Sequence, residues 1–378
     1  AHLGAPGMTD KRKRDDTLAA HNVALHYSGR ENQSVGQRQQ SPIYHLRCLN
    51  NWVKSMLINA YVREKDRVLD FACGKGGDLT KYRKARVGTY TGVDIALESV
   101  RRDAVGRYNG GNYPFPAKFI AGDAFTADLT QHLPVKSYDV VSSQFAIHYS
   151  WSTETRARRA LRNVSQMLRP GGHFIGTTVD SNVLVRKLRA TDGMTFGNSI
   201  VEVTFDDRFK RKTFDGASGP FGLQYAFTLQ DAVTDCHEWM VPRRAFVELA
   251  EEYGLELVEW RNFHDFVHDK LGKGAAEPAA AVIGSDVDGN PGPAPRPGEV
   301  HGGKRAARAL WRSSMGGAGV ADETLSEDEW EAAHLYAAFA FRKAGAATAA
   351  AAAVLNRPDP GKAEAVRGDD VLVLEGAA

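Results

Sequence analysis

Arg67-Val68-Leu69-Asp70-Phe71-Ala72-Cys73-Gly74-Lys75-Gly76-Gly77-Asp78-Leu79 is the stretch on which the reading of this chain turns. A short apolar run breaks into a glycine-rich turn, and Asp78 to Lys84 then has the composition of a helix. Strand, glycine loop and helix form the opening unit of a parallel α/β sheet. Glycines there let a ligand approach the backbone closely, and the helix offers its unpaired N-terminal amides.

The alternation continues outward. Strands are predicted at Thr89 to Asp94, Lys118 to Asp123, Tyr138 to Phe145 and His173 to Thr178. Helices are predicted at Leu97 to Tyr108 and Thr153 to Leu168, the second stopped by Pro170-Gly171-Gly172. This pattern implies a parallel, doubly wound sheet. Upstream, Leu46, Leu49, Val53, Met56 and Leu57 recur at helical spacing, with Pro42 tolerated in the first turn and Trp52 assigned to the core. Downstream the pattern changes. Ser199 to Phe205 and Gln224 to Leu229 read as strands of an inserted or antiparallel element, Arg243 to Tyr253 as a helix, and Leu255 to Trp260 as a strand. Order resumes at Leu325 to Glu331, and His334 to Phe341 reads as the last strand.

Three segments fall outside this pattern. Residues 1–25 are polar and aperiodic, a disordered tail before a domain at 26–343. Residues 272–303, rich in Gly, Ala and Pro, read as a flexible insertion, and 344–378 as a low-complexity tail. Val371-Leu372-Val373-Leu374 is apolar and has no assigned role; residues 1–25 and 345–378 show no core periodicity and are expected to be dispensable for turnover.

Composition narrows the class. The 378 residues suffice for one large catalytic domain with insertions or for two small ones, and 43% apolar with 25% charged is ordinary for a globular protein. No apolar run reaches the roughly 18 residues of a membrane span, and the start lacks a secretory pattern. Cys48, Cys73 and Cys236 form no CxxC pair, which argues against zinc and for a reducing compartment. With a net charge of +2, any nucleic-acid contact must come from a local basic patch. Lys11-Arg12-Lys13-Arg14 fits a nuclear-import signal and, equally, a solvated tail.

The spacing points to an adenosyl ligand. Asp94 ends the second strand twenty residues past Gly74, placed to accept from both hydroxyls of a ribose. A dinucleotide fingerprint would need glycine at position 79, which is Leu79, and a Walker phosphate loop is absent. Asp123, at the third strand end, is placed either for an adenine amino group or as a helix cap. Gln144, Phe145, His148 and Tyr149 follow the fourth strand and point into the same crevice, because ligands gather beyond the carboxyl ends of parallel strands.

The chain resembles the eukaryotic messenger-RNA cap (guanine-N7) methyltransferases from about His26 to Phe341. The resemblance is carried by Asn50-Asn51-Trp52-Val53-Lys54-Ser55, by Val68-Leu69-Asp70 with Cys73-Gly74-Lys75-Gly76-Gly77-Asp78-Leu79, and by Gly92-Val93-Asp94-Ile95-Ala96. Further on it rests on Ser143-Gln144-Phe145-Ala146-Ile147-His148-Tyr149, Pro170 to Thr177, Phe196-Gly197-Asn198 and Phe339-Ala340-Phe341. It implies a class I S-adenosylmethionine-dependent (Rossmann-like) fold with cap-binding insertions. Lys54, Ala72, Gly74, Asp94, Asp123, Gln144 and Tyr149 would hold S-adenosylmethionine. Asn50, Asn51, Lys75, Lys81, Arg107, His148, Glu238 and Tyr336 would hold the cap of a 5′-capped pre-mRNA. The family usually has glycine where Ala72 stands, and a backbone contact survives alanine if φ is negative there.

The resemblance further implies a nuclear enzyme with partners in the capping or transcription apparatus, no metal and no membrane. Guanine N7 is a lone-pair nucleophile and the sulfonium methyl is already activated, so no catalytic base is nominated. Glu238 would select guanine through its N1 and N2 donors. By composition alone Glu238 reads as a surface acid, Tyr336 as a core tyrosine, and Lys75, Lys81 and Arg107 as solvated charges. A methyltransferase of the same fold acting on a small molecule or protein, and a cap-binding scaffold without turnover, are the competing classes. The first needs no Glu238, and the second predicts cap affinity without product.

Overall fold

The computed structural model describes residues 35–214, 219–271, 325–345, 361, 363–375 and 377. The basic run at 11–14 and the 272–303 insertion lie outside the described residues.

Helix α1 (Tyr44–Tyr61) buries Leu46, Leu49, Trp52, Val53, Met56, Leu57 and Ile58 along one stripe. Trp52 is fully buried, edge-on to Phe266 at 6.1 Å. The alternating region follows: β1 (Arg67–Phe71), α2 (Leu79–Lys84), β2 (Thr89–Asp94), α3 (Val105–Gly110), β3 (Ala117–Ala121), β4 (Tyr138–Gln144), α4 (Glu154–Met167) and β5 (Leu168–Val179). The helix expected at Leu97 to Tyr108 begins as a π-helical turn, Ser99–Ala104, that runs into α3.

The fifth strand starts five residues before its expected first residue. Pro170-Gly171-Gly172 lies inside β5, where the register jumps from Tyr138↔Leu168 to Val140↔His173. Gly171 takes φ +74°, and a Cβ on Gly172 would lie 2.8 Å from the Asp139 carbonyl, so the three residues form a bulge.

After β5 come α5 (Ser181–Ala190), β6 (Thr195–Gly197), β7 (Val201–Phe205), β8 (Gln224–Leu229), β9 (Val233–Trp239), α6 (Arg243–Glu252), β10 (Leu255–Asn262), α7 (Phe263–Leu271), α8 (Glu327–Ala333), β11 (Tyr336–Lys343) and β12 (Leu372–Val373). The main sheet has the order β10-β11-β5-β4-β1-β2-β3-β12. β11 runs antiparallel to both β5 and β10, and the remaining neighbours are parallel. Helices cover both faces. Val68 joins one core with α1, whereas Leu69 and Phe71 join the other with α4. This is the Rossmann-like architecture expected. The inserted element is a separate antiparallel sheet, β6-β7-β8-β9.

One expectation is corrected. β11 is not the last strand, because Val371 to Leu374 leaves the tail and pairs β12 in parallel with β3, Leu372↔Ile120 and Val373↔Ala121. Leu374 packs against Gly122, and Asn109 clasps the Val366 backbone with bonds of 2.7 and 3.0 Å. An apolar run covers the unpaired edge of β3, which removes an exposed strand edge.

Candidate active site

The carboxyl ends of β1, β2, β3 and β4 bring the first group of residues together. The loop after β1 bends through Ala72 (φ +56°), Gly74 (φ +52°) and Gly76 (φ +69°). A Cβ on Gly76 would lie 2.8 Å from Leu79 Cδ1, so that glycine is needed for space as well as for its dihedral. Ala72 is also in the left-handed region, so the condition of a negative φ is not met. An alanine carries the strain a glycine would avoid.

Asp94 ties the loop to β2. Its Oδ2 accepts from the Gly74 amide at 2.7 Å, and its Oδ1 accepts from the Ala96 amide at 2.9 Å. Burial raises its pKa, while those two amides oppose the rise. Asp123 is similarly committed to the chain, accepting from Phe125 N at 2.8 Å and from Arg156 Nη1 at 2.9 Å. Gln144 has its amide fixed at both ends. Nε2 donates to Ser142 Oγ at 3.0 Å, and Oε1 accepts from Thr177 Oγ1 at 3.2 Å.

α1 supplies Lys54, α2 supplies Lys81, the loop after β1 supplies Lys75 and α3 supplies Arg107. Lys54 Nζ is 2.8 Å from Asp78 Oδ1, Lys81 Nζ is 2.6 Å from the same oxygen, and Lys81 also donates to Asn51 Oδ1 at 2.9 Å. Burial disfavours the Asp78 charge, yet the two ammonium groups hold its pKa well below the usual carboxylate range. Sequence reasoning placed Asp78 only in the motif and missed that it organises Lys54, Lys81 and Asn51 into one cluster. Asp70, buried beneath, accepts from Tyr90 at 3.0 Å; burial and the nearby Asp78 charge raise its pKa to about 7. Lys75 pairs with Asp103 at 3.0 Å. Arg107 is exposed, with its guanidinium next to Gly77, where a Cβ would come within 3.8 Å. Asn50 is half-buried, and its Oδ1 has no hydrogen-bond partner.

A second group forms where the turn after β4 meets the antiparallel sheet. Residues Ile147–Ser152 make a 3-10 turn that brings His148 and Tyr149 to β9. Glu238 on β9 is 5% exposed, so it is not the surface acid that composition alone suggests. Its Oε2 accepts from Tyr225 Oη at 2.6 Å, and its Oε1 lies 3.6 Å from His148 Nε2, too far for a hydrogen bond. Burial lifts Glu238 to about 7, opposed by the Tyr225 and Tyr149 hydroxyls. Burial pushes His148 down to about 3, so the ring is neutral and the pair is not an ion pair at neutral pH. Both His148 ring nitrogens are buried and lack a hydrogen-bond partner. Tyr149 rests on His148, ring centroids 4.2 Å apart, with its hydroxyl 3.7 Å from Cys236 Sγ.

Tyr336 opens β11 beside this group. Its ring meets Phe145 edge-on at 5.0 Å, Phe263 at 5.7 Å and Phe227 at 6.5 Å. The fold thus brings Glu238 and Tyr336, far apart in sequence, to the same end of the sheet as His148. Tyr225 was missed, because on an alternating strand a tyrosine reads as core. Among the described residues no group of three or more His, Cys, Asp or Glu is arranged to hold a metal, and no helix is long and apolar enough to cross a membrane.

Known proteins resemble this chain along most of its length. The mRNA (guanine-N(7))-methyltransferase domain matches residues 10–344. The chain is 47% identical over 351 residues to mRNA cap guanine-N(7) methyltransferase 1 of Oryza sativa subsp. japonica, covering 90% of this chain and 85% of that protein. It is 44% identical over 365 residues to mRNA cap guanine-N(7) methyltransferase 1 of Arabidopsis thaliana, covering 94% and 89%. It is 40% identical over 256 residues to mRNA cap guanine-N(7) methyltransferase of Schizosaccharomyces pombe, covering 66% and 70%. A domain match over most of the chain, with plant relatives aligned along most of both lengths, means that this chain belongs to the mRNA (guanine-N(7))-methyltransferase family.

Proposed function

We propose that the crevice holds S-adenosylmethionine over the ends of β1 to β4 and the cap guanine against β9 and β11. The chain is a cap guanine-N7 methyltransferase: the methyl leaves the sulfonium for N7 of the terminal guanine of a GpppN RNA. The observation that carries the guanine assignment is the buried Glu238–His148 pair. Glu238 offers acceptors for guanine N1–H and N2–H, and a neutral His148 with two unpartnered ring nitrogens can donate to O6. Adenine, with a donor at position 6 and none at position 1, would leave those groups unpaired.

On the cofactor side, Asp94 keeps a lone pair on each oxygen for the ribose hydroxyls after accepting from Gly74 and Ala96. Asp123 keeps the same capacity for the adenine amino group, Gln144 is fixed at its edge, and Lys54, Ala72, Gly74 and Tyr149 complete the pocket. Asn50, Asn51, Lys75, Lys81 and Arg107 approach the triphosphate bridge, where exposed or half-buried cations neutralise phosphate charge. Tyr336 lies along the guanine ring. The chain's work is orientation: N7 in line with the methyl–sulfur bond, worth up to ~7–11 kcal/mol. The buried carboxylates supply a field that suits a cationic transition state.

Nuclear residence, with Lys11 to Arg14 as the import signal, and contact with other capping or transcription proteins complete the reading. The test of function is transfer of labelled methyl from S-adenosylmethionine to unmethylated capped RNA, with the product mapped. Label at N7 supports the reading. Label elsewhere on the RNA, or transfer without RNA, contradicts it.

A further inference from the structure

Glu238 cannot read guanine unless it stays an acceptor, and burial works against that. It sits in a closed environment, 5% exposed, where the neutral acid is favoured over the carboxylate. A protonated Glu238 would present a hydroxyl donor to guanine's own donors. Something must hold the group ionised and fix its rotamer.

Tyr225 meets both requirements. Tyr225 and Glu238 are direct cross-strand partners on β8 and β9. The Tyr225 hydroxyl donates to Oε2 at 2.6 Å, within the short range of bonds to charged acceptors. The tyrosine is itself 1% exposed, with its ring against Phe205 at 5.6 Å, so the hydroxyl has little freedom to move away. Anchoring Oε2 leaves Oε1 turned toward His148. We infer that Tyr225 is a positioning residue for cap recognition: its hydroxyl holds Glu238 as an oriented carboxylate so that guanine meets acceptors. This rests on the reading of Glu238 as the guanine contact.

The groups facing Glu238 are Tyr225 from β8, His148 and Tyr149 from the turn after β4, and Cys236 on its own strand; Tyr336 from β11 lies near Tyr225. Of these, His148 titrates near 3, Cys236 near 12 and Tyr225 well above its usual 10. None of these three changes charge between pH 5 and 9, whereas Glu238, near 7, does. Asp70 also titrates near 7, so the informative quantity is the displacement a substitution causes, not the acid limb itself.

The experiment is the pH profile of kcat/KM for a capped dinucleotide at saturating S-adenosylmethionine, for the native enzyme, Tyr225→Phe, Glu238→Gln and the double variant, with cofactor affinity from calorimetry as a control. Tyr225→Phe should lower kcat/KM at pH 7 by about 10- to 100-fold through KM, the loss expected of a bond to a charged group. It should move the acid limb to higher pH, recover activity toward pH 9, and leave cofactor affinity unchanged. In the Glu238→Gln background the same change should cost little. An unshifted limb with native kcat/KM, alongside a damaged Glu238→Gln, overturns the inference and leaves the guanine reading standing. A harmless Glu238→Gln overturns the guanine reading, and the inference with it. Loss of cofactor and cap binding together at every pH makes Tyr225 a packing residue and also overturns it.

Discussion

The Gly74 amide donates to the Asp94 carboxylate across 2.7 Å, so the residue expected to hold the ribose also holds the glycine loop. Asp94→Asn keeps the size but puts a donor against one of two backbone amides. The loop and the ribose contacts should weaken together. Cofactor affinity should fall by about 1.5–3 kcal/mol per charged hydrogen bond lost. Calorimetry on a folded variant measures this; unchanged affinity would remove Asp94 from the site.

Ala72 at φ +56° gives a prediction of opposite sign. Ala72→Gly relieves left-handed strain of roughly 1–2 kcal/mol and restores the freedom the turn uses. The variant should melt at or above the native temperature and bind S-adenosylmethionine at least as tightly. A β-branched residue there should be markedly worse, because φ > 0 is a true outlier for it. Paired melting curves decide; a glycine variant that melts lower would contradict the strain argument.

The tail strand should matter for stability. Val371 and Leu374 are buried, and a fully buried side chain of this size is worth about 1.5–3 kcal/mol before the cost of ordering the segment. Ending the chain at residue 345 should lower the melting temperature, and Leu374→Ala should reproduce part of the loss. Turnover at low temperature should survive, since among the described residues the tail pairs with the edge of β3 and supplies none of the proposed site residues. An unchanged melting temperature would mean that the edge of β3 needs no cover.

Glu238 should act against stability while serving recognition. Its pKa rises from 4.5 to about 7 on folding. Between those values the native chain keeps a proton that the unfolded chain releases. Stability therefore falls as pH rises through that window, and the full penalty applies above it. Glu238→Gln removes the penalty. The stability difference, variant minus native, should grow from pH 5 to pH 8 by at most about 3 kcal/mol. Asp70 contributes with the same sign in both proteins and cancels. Melting curves at the two pH values check this; an equal difference at both would contradict it.

The glycine loop and Asp94 of the proposed cofactor site were legible because they are local. β1, the loop, α2 and Asp94 lie within 28 residues, and the glycines mark the turn. Glu238 and Tyr336 come from outside the alternating region and were identified only through resemblance, because nothing in their sequence neighbours distinguishes a buried acid from a surface one. Tyr225 was illegible, since only the pairing of β8 with β9 turns its hydroxyl into a partner for Glu238. β12 escaped for a related reason. A two-residue strand whose partner lies some 250 residues earlier leaves no periodic signal. The sign of φ at Ala72 depends on how the loop closes, which residue types alone do not determine.

The guanine assignment rests on Glu238 accepting from the N1 and N2 donors of the base. The most direct measurement compares kcat/KM for a guanosine cap and for an inosine cap, which lacks the 2-amino group, in the native enzyme and in Glu238→Gln. The native enzyme should prefer guanosine by about 10-fold or more, one hydrogen bond to a charged acceptor. Glu238→Gln should lose about 2–4 kcal/mol on the guanosine cap, level the two substrates, and keep native S-adenosylmethionine affinity. A variant that retains the full preference for guanosine would contradict the claim.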